Sequence, residues 1–487
     1  MSPVHCPVPG EERFPPRHFL AFLDKVPPPR LRSITIIVPL VSLFVLAFLP
    51  TGMDQKMQYS LAILLCISML WTFGMIPLAV TALLVPVLLT GFGIFTPVEA
   101  LTPFADPVVY LLVGGLIIAE TFRKNGMDKR LAYYLVIRAK GDLKKTLLAL
   151  MVSSAIISMW ISNTATVALL IPVALGVAAQ TGECRGKVAG FFLIAISMGT
   201  AFGSLSTIIG SPTNAITSGL LAKAVPWTFA DWLIIGVPVA VASLALIYVV
   251  LPLTLRPPQT MLDLEGVQAK RLALGPMKPM EKLVLAIFAG TIVLWVLGAQ
   301  LTEWFGMPSG LANTGIIALL AAVVMFMVGA VQWDDAKNIA WDVFLIIGAG
   351  LALGEAMEAT GAASWLAEGM ASLTGGHSLL LTMLVFAVIS FILTTVLSNT
   401  ATAALLVPIA LSASAELGID PKFLVLTVGM VASISLVTPV GTPPVTLAYA
   451  TGTFTRRELA RSGLAVGIPG MLIIVFLVYV FVSGGLV

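Results

Sequence analysis

The chain has 487 residues, of which 58% are hydrophobic and 10% charged, with a mean hydropathy of +1.02 and a formal net charge of +3. Soluble domains carry about 25% charged residues, so this composition excludes a water-soluble globular protein, and the high hydrophobic content excludes a disordered one. Long unbroken apolar runs, rather than alternating segments of about ten residues, favour an all-α polytopic membrane protein over an outer-membrane barrel.

Eleven apolar runs have about the 17 to 25 residues that a transmembrane helix needs. They follow a proline-rich tail at 1–32 that contains no such run, so no secretory signal is expected there. Two further uncharged stretches, 146–182 and 378–415, are each long enough to enter the membrane and return to the same side. The predicted spans are 33–50, 57–74, 76–93, 106–122, 188–209, 232–254, 281–300, 310–330, 342–357, 423–438 and 463–483.

The positive charges predict the orientation, because the cytoplasmic loops of membrane proteins are enriched in Lys and Arg. With the N-terminus in the cytoplasm, only Lys56, Lys223 and Lys422 of the 27 Lys and Arg residues lie outside. We therefore expect a protein of the plasma (inner) membrane with a cytoplasmic N-terminus. After eleven crossings its C-terminus is expected to be extracytoplasmic.

One motif occurs twice. Residues 162–175 read SNTATVALLIPVAL and residues 398–411 read SNTATAALLVPIAL, which are identical at eleven of fourteen positions. Such agreement predicts two homologous halves. Matches on both sides of the motif extend the similarity: Gly115 with Gly350, Glu120 with Glu355, Thr207 with Thr438, Gly210 with Gly441, Ser211 with Thr442 and Pro212 with Pro443.

The repeat predicts the organisation of the whole chain. Its parts are a cytoplasmic tail at 1–32, a first transmembrane helix and outer loop at 33–56, a first repeat at 57–254, a cytoplasmic linker at 255–280 and a second repeat at 281–487. The first repeat comprises scaffold helices at 57–122, a hairpin at 146–182, a broken helix at 188–222 and a helix at 232–254. The second comprises scaffold helices at 281–357, a hairpin at 378–415, a broken helix at 423–452 and a helix at 463–483.

The two hairpins are expected to enter the membrane from opposite sides. The first follows the basic segment 123–145, whereas the second follows Glu358 and Glu368 with no Lys or Arg nearby. The repeats are therefore predicted to be inverted. Inverted repeats whose interrupted helices meet near the bilayer midplane are typical of secondary transporters.

The Ser-Asn-Thr triplets lie midway along their uncharged stretches, where hydroxyl and amide groups are costly against lipid. Short polar side chains also compete for backbone hydrogen bonds and help to end a helix. We expect each triplet to form the polar tip of a re-entrant hairpin, although each arm is also long enough to cross fully. The alternative is that these side chains join helices by hydrogen bonds, which is common for a single motif in a membrane helix.

The segments 210–212 and 441–443 each place a Gly and a Pro inside an otherwise helical run. Proline removes a backbone donor and frees a carbonyl. Each break would therefore offer carbonyl oxygens to a cation on one side and the start of a half-helix to an anion on the other. The alternative is a pair of packing kinks.

No Lys or Arg falls within the two hairpins or the two breaks. Four helix N-termini contribute at most about 2 kcal/mol each to binding an anion, whereas burying a carboxylate-sized ion has an idealised cost of order 20 kcal/mol. A cation should therefore bind with the anion. Hydroxyl, amide and carbonyl oxygens are hard ligands, so Na⁺ is the expected coupling ion.

Other chemistry finds little support in the sequence. The three histidines and three cysteines match no metal spacing, and no Walker loop or GxSxG motif is present, so the chain is not expected to be an enzyme. No nucleic-acid partner is expected either. Besides the lipid bilayer, the expected partner is a small anionic molecule.

The paired Ser-Asn-Thr motifs, each followed by a Gly-Ser/Thr-Pro break, resemble the divalent anion/sodium symporter family over residues 33–487. The resemblance implies an elevator-type homodimer that carries dicarboxylates, citrate or sulfate. It also implies substrate contacts from Ser162, Asn163, Thr164, Ser211, Ser398, Asn399, Thr400, Thr442 and Pro443. One Na⁺ would be bound by Ser158, Ser162, Asn163 and the Gly210 carbonyl, and a second by Thr394, Leu397, Asn399 and the Gly441 carbonyl.

The chain departs from the family pattern at three positions. Val445 stands where the second break usually has Asn, Leu436 where an aromatic residue is usual, and Thr213 where a second Pro is common. The leading hypothesis is Na⁺-coupled symport of a C4-dicarboxylate such as succinate, malate or fumarate. The alternatives are a dicarboxylate or 2-oxoglutarate exchanger or a sulfate or citrate carrier of the same fold, and then an ion channel or an intramembrane enzyme.

Overall fold

The computed structural model describes residues 29–74, 76–179, 181, 185–258, 261–337, 339–372, 378–439 and 442–487. Within these ranges the regular structure is helical, with 22 α-helices and short 3₁₀ turns. Most of the N-terminal tail, all of 1–28, lies outside the described residues, as does Gly441, which the sequence placed in the second cation site.

The helices before and within the first half end at Leu255. They are α1 Pro29–Phe48, α2 Gln55–Phe73, α3 Leu78–Gly91, α4 Pro97–Leu101, α5 Pro107–Lys124, α6 Met127–Arg138, α7 Leu143–Ser158, α8 Asn163–Ala178, α9 Arg185–Gly203, α10 Pro212–Ala224 and α11 Phe229–Leu255.

The linker contains one helix, and the same order of elements then recurs. The remaining helices are α12 Glu265–Ala273, α13 Pro279–Trp304, α14 Thr314–Met327, α15 Trp333–Ala336, α16 Asp342–Ala359, α17 Ala362–Ser372, α18 Leu379–Val396, α19 Asn399–Glu416, α20 Pro421–Ala432, α21 Pro443–Tyr449 and α22 Arg456–Ser483.

In the described part of the chain, six helices are long and apolar enough to cross a membrane, or eight if each of two bent pairs is one span. The bends are 41° between Pro97–Ala105 and Pro107–Lys124 and 79° between Asp342–Ala359 and Ala362–Gly369. Each of the eleven predicted spans contains a helix, but they are not eleven uniform spans. The predicted spans at 76–93, 310–330 and 423–438 form α3, α14 and α20, with 14, 14 and 12 residues.

Helix α20 differs most from its predicted span, because it ends at Ala432 instead of 438. Pro439 sets the limit beyond which this helix cannot continue. Its ring would clash with the carbonyl four residues earlier, and it disfavours helical geometry at Thr438. The described residues 433–439 and Thr442 form no α-helix, and Pro443 begins α21.

The two halves pack into each other. Helix α10 of the first half lies against α19 and α20 of the second, and α21 lies against α8 and α9. The final helices α11 and α22 also contact each other. Both breaks are thus enclosed by elements of both halves.

Ion pairs join segments that are distant in the sequence. Lys124 pairs with Asp335 at 2.5 Å, and Lys223 pairs with Glu355. In the map from the positive charges, Lys124 and Asp335 lie on the inner side, and Lys223 and Glu355 lie toward the outer side. Each of these two ion pairs therefore joins segments that the charge distribution predicts to lie on the same side of the membrane.

Candidate functional site

Helix α8 begins at the first Ser-Asn-Thr triplet. The Ser162 hydroxyl caps the helix by accepting a hydrogen bond from the Ala165 N–H at 3.4 Å. Asn163 Nδ2 donates to Ser204 Oγ at 3.3 Å. We call residues 159–164 the first tip.

The first break separates α9 from α10. After the 3₁₀ turn Ser204–Ser206 the chain becomes extended, and α10 starts at Pro212, where a missing N–H costs no hydrogen bond. Asn214 Nδ2 donates to the carbonyls of Ser204 and Thr207, both at 2.8 Å. One side chain therefore satisfies two of the acceptors that the break frees.

Gly210 lies where the chain folds back on itself. A Cβ atom at this position would collide with the carbonyl oxygen of Ser204. The collision is with backbone, which cannot move aside as the end of a flexible side chain can. The tight path of the first break therefore requires glycine.

The second tip, residues 395–400, is built in the same way. Ser398 caps α19 by accepting from the Ala401 N–H at 3.2 Å. Asn399 Nδ2 donates to the Ser433 carbonyl at 3.0 Å. Thr394 Oγ1 lies 2.9 Å from Asn399 Oδ1 and 2.6 Å from the Ala432 carbonyl.

Each break is tied to the tip of its own half by an equivalent threonine. Thr207 Oγ1 donates to the Met159 carbonyl, and Thr438 Oγ1 donates to the Thr395 carbonyl at 3.4 Å. These donors were paired in the sequence comparison of the two halves. The similarity of the halves thus extends to a specific hydrogen bond.

A hydrogen bond between the halves completes the arrangement: Ser433 Oγ donates to Asn214 Oδ1 at 3.3 Å. Together with the bonds above, it connects the two tips through both breaks. We call Asn163, Ser204, Asn214, Ser433 and Asn399 the polar chain. Its members carry no formal charge, so any charge brought to it must come from bound ions.

Several oxygen atoms in and beside the polar chain are buried without a hydrogen-bond partner among the described residues. Buried polar atoms are rarely left unpaired, because losing hydration costs about 1–3 kcal/mol for each neutral group. These atoms are therefore available to a ligand or to water. They are Asn163 Oδ1, Thr200 Oγ1, Thr213 Oγ1 and Ser435 Oγ.

The candidate residues differ in accessibility. Ser162 and Thr164 are exposed, as is Pro443, while Ser398, Asn399, Thr400 and Thr442 are half-buried. Ser158, Gly210, Ser211 and Thr394 are buried. The Ser158 hydroxyl donates to the Ala155 carbonyl of its own helix at 3.0 Å, and the Leu397 N–H donates to the Leu393 carbonyl at 2.7 Å.

Sequence reasoning missed Ser204, Thr207, Asn214 and Ser433 as site residues. Thr207 was visible as one of the repeated positions. Asn214 was visible as an amide inside an apolar run directly after a break. Its counterpart in the second half is Val445, so the comparison of the halves pointed away from it.

The surroundings of the two tips differ. At the first, Trp160 stacks on Trp295 with 6.2 Å between ring centroids and meets Phe288 edge-on at 4.8 Å. Trp295 also packs on Phe229 at 4.9 Å. Aromatic rings from α11 and α13 therefore cover the Trp160 side of the first tip, while Ser162 and Thr164 stay exposed.

The second tip instead borders a cavity of about 930 Å³, which we call the vestibule. It lies between the end of α2 and start of α3 on one side, and the second tip, the second break and the start of α22 on the other. Its polar lining includes Thr72, Thr395, Ser398, Thr438 and Arg456.

No group of three or more His, Cys, Asp or Glu residues in the described ranges could hold a metal ion. A cation at the polar chain would therefore be bound by neutral oxygens. Such hard ligands suit a hard cation, in agreement with the chemistry expected from the sequence.

Comparison with known proteins identifies the family. Residues 30–483 match the model of the sodium:sulfate symporter transmembrane region. An uncharacterized transporter of Haemophilus influenzae is 32% identical over 464 residues, covering 92% of this chain and 97% of that protein. The sodium-dependent dicarboxylate transporter SdcS of Staphylococcus saprophyticus is 30% identical, covering 90% of this chain and 89% of that protein.

Two solved structures share the fold at low sequence identity. The MtrF protein of Neisseria gonorrhoeae aligns with a TM-score of 0.54 and 15% identity, covering 96% of this chain and 97% of that one. The YdaH transporter of Alcanivorax borkumensis aligns with a TM-score of 0.52 and 16% identity, covering 80% and 87%. The chain thus shares the overall helical fold of these two proteins.

Proposed function

The chain belongs to the sodium:sulfate symporter family, also described as the divalent anion/sodium symporters, and we propose that it couples Na⁺ entry to uptake of a C4-dicarboxylate such as succinate, malate or fumarate. It is an integral membrane transporter and not an enzyme. The observation that carries the proposal is the polar chain, which joins both tips through both breaks without a charged side chain.

The anion is bound between the tips in this proposal. Its carboxylates contact Ser162, Asn163 and Thr164 on one side and Ser398, Asn399 and Thr400 on the other, with Ser211, Thr442 and Pro443 at the breaks. The N-termini of α8 and α19 point their free N–H groups toward this position, which favours a carboxylate. The exposure of Ser162 and Thr164 supports their role.

Na⁺ supplies the missing positive charge. The first ion is bound by Ser158, Ser162, Asn163 and the Gly210 carbonyl, and its site is supported by the buried, unpaired Asn163 Oδ1. The second ion is bound by Thr394, Leu397, Asn399 and the Gly441 carbonyl. At this second site the Thr394 hydroxyl oxygen lies 2.9 Å from Asn399 Oδ1, so two of the proposed ligand oxygens are side by side.

The names of the relatives support both the ion and the substrate. The SdcS proteins of Staphylococcus saprophyticus and Staphylococcus aureus are sodium-dependent dicarboxylate transporters, each 30% identical to this chain. The family model is named for sulfate instead. Dicarboxylate is preferred because SdcS is similar over about nine-tenths of both chains.

The transport step in this proposal is an elevator movement of a homodimer. The scaffold comprises the early helices of each inverted repeat, and the moving unit comprises α7–α11 and α18–α22. The vestibule at the second tip has no counterpart beside Trp160 of the first tip, where aromatic rings pack, and this asymmetry supports access from one side at a time. The N-terminus is cytoplasmic and the C-terminus extracytoplasmic in the plasma (inner) membrane.

Uptake of radiolabelled succinate into proteoliposomes tests the proposal. Uptake should require an inward Na⁺ gradient and should not require internal substrate. Uptake that ignores Na⁺ but needs preloaded internal anion would identify an exchanger and contradict symport. Competition by malate, fumarate, 2-oxoglutarate, citrate and sulfate then ranks the substrates, and a preference for sulfate or citrate would contradict the C4-dicarboxylate assignment.

A further inference from the structure

The vestibule beside the second tip carries a positive charge that the sequence analysis did not use. Arg456, the first residue of α22, lines this cavity together with Ser398 of the second tip. Among the described residues around the vestibule, Arg456 has the only ionisable side chain. The cavity therefore leads from a neutral, polar end at the tip to a cationic end at α22.

The charge of Arg456 is not neutralised by a contact within the described chain. Its side chain is exposed, and its guanidinium forms no ion pair or hydrogen bond with a described residue. The closest carboxylate along the helix, that of Glu458, accepts hydrogen bonds from the N–H and the hydroxyl of Thr455, both at 2.8 Å. The Glu458 carboxylate therefore takes part in the cap of α22 and forms no ion pair with Arg456.

We propose that Arg456 holds the divalent anion in the vestibule, between the polar chain and the cytoplasmic solution, which is the side where the positive charges place Arg456 and the side of release in the proposed uptake. The inference rests on the proposed function, since it needs an anionic substrate. A planar guanidinium can bind a carboxylate through two parallel hydrogen bonds. A cavity with apolar walls and one sign of charge also concentrates counter-ions, so Arg456 raises the local concentration of the substrate.

This role fills a gap in the binding site. The tips and breaks contain no Lys or Arg, so a dianion that passes between the polar chain and the cytoplasmic solution meets no fixed positive charge there while its hydration changes. An anion held at Arg456 is only partly dehydrated and already lies beside Ser398 in the same cavity. Arg456 thus divides the desolvation of the dianion into two steps.

Binding of succinate to the purified full-length protein in detergent tests the inference, at a fixed Na⁺ concentration. Choline chloride raises the ionic strength from about 50 mM to about 300 mM, which shortens the screening length without changing Na⁺. Arg456→Gln should raise the Kd roughly three- to tenfold at low ionic strength and flatten its dependence on choline chloride. Arg456→Lys keeps the positive charge but not the two parallel hydrogen bonds of the guanidinium. Its Kd for succinate should lie between those of Arg456→Gln and the wild type.

Arg457→Gln is the matched control. It removes the same charge at the next residue, whose side chain does not line the vestibule. It should bind succinate like the wild type. Equal weakening by Arg456→Gln and Arg457→Gln, or no weakening by either, would overturn the inference.

A second variant keeps the test independent of the folding of Arg456→Gln. Ala460 lies one helical turn after Arg456 and also lines the vestibule. Ala460→Glu should pair with Arg456 and weaken binding, whereas Ala460→Gln should not. Equal affinities of these two variants would also contradict the role of Arg456. A wild-type protein that binds no succinate, citrate or sulfate would instead contradict the proposed function itself.

Discussion

Asn214 and Ser433 meet across the boundary between the two halves, with the Ser433 hydroxyl donating to Asn214 Oδ1 at 3.3 Å. Asn214 holds the first break through two carbonyls, while the carbonyl of Ser433 accepts from Asn399 of the second tip. A displacement of either break therefore changes hydrogen bonds in the other half. This coupling gives the two tips a physical means of acting as one site.

Asn214 should be a determinant of stability as well as of the site. Asn214→Val leaves the carbonyls of Ser204 and Thr207 buried without their donor, and each unpaired group costs about 1–3 kcal/mol. We expect the variant to lower the unfolding temperature in detergent by several degrees. Asn214→Asp should be at least as harmful, because it replaces the donor with a carboxylate that faces two carbonyls.

Asn125→Ala is the control for this loss. The Asn125 amide also donates to two carbonyls, those of Thr121 and Ala330, but it is half-buried and outside the polar chain. Its removal should lower the unfolding temperature less. If the Asn214 variants have the same unfolding temperature as the wild type, other contacts stabilise the first break.

The tip asparagines should be essential for transport. Asn163→Ala and Asn399→Ala each remove a link between a tip and a break, together with an amide oxygen proposed as a cation ligand. We expect each variant to lose succinate uptake in proteoliposomes while eluting like the wild type in size-exclusion chromatography. Asn125→Ala should transport normally. Full activity of either tip variant would remove the site assignment.

The sequence predicted a helix in each apolar run and a new helix after Ser162 and Ser398, because both depend on local signals. Apolar runs mark helices, and a serine before a new helical run marks its cap, as at Ser162 and Ser398. The early end of α20 was missed, since the apolar run continues past Ala432.

The hydrogen bonds within the site could not be predicted from such local signals. Asn214 reaches Ser433 only because α10 packs against α20, and the packing of two helices is not encoded in the spacing of either. The repeat, which identified the tips, was misleading here because Val445 occupies the corresponding position in the second half. A polar residue that is present in only one half, such as Asn214, can therefore be recognised as part of the site only from the structure.

The ion pair between Lys124 and Asp335 should make stability depend on pH at the low end. The hydrogen bond from the Lys124 ammonium holds the pKa of Asp335 below its usual value. A carboxyl group with a lowered pKa stabilises the fold above its unfolded pKa of about 3.9, and this contribution is lost as the pH falls through the lower, folded value.

Asp335→Asn should therefore melt below the wild type between pH 8 and about pH 5, and the difference should shrink as the pH falls below about 4. Differential scanning fluorimetry across this range measures the difference. Asp334→Asn is the control, because Asp334 pairs with Lys337 within one turn and its side chain is 85% exposed. If the difference in unfolding temperature between Asp335→Asn and the wild type stays constant down to pH 3, the effect does not come from the ionised carboxylate of Asp335.

Gly210 offers a test of the first break that adds a single methyl group. Gly210→Ala drives a Cβ into the Ser204 carbonyl, so the break must widen and Asn214 must loosen its hold on that carbonyl. We expect a lower unfolding temperature and a loss of Na⁺-dependent uptake. Gly176→Ala is the matched control, since Gly176 lies in α8 with no atom within 4 Å of an added Cβ. Alanine favours helix over glycine by about 1 kcal/mol, so this control should be neutral or slightly stabilising. Normal uptake by Gly210→Ala would show that the tight path of the break is not needed for transport.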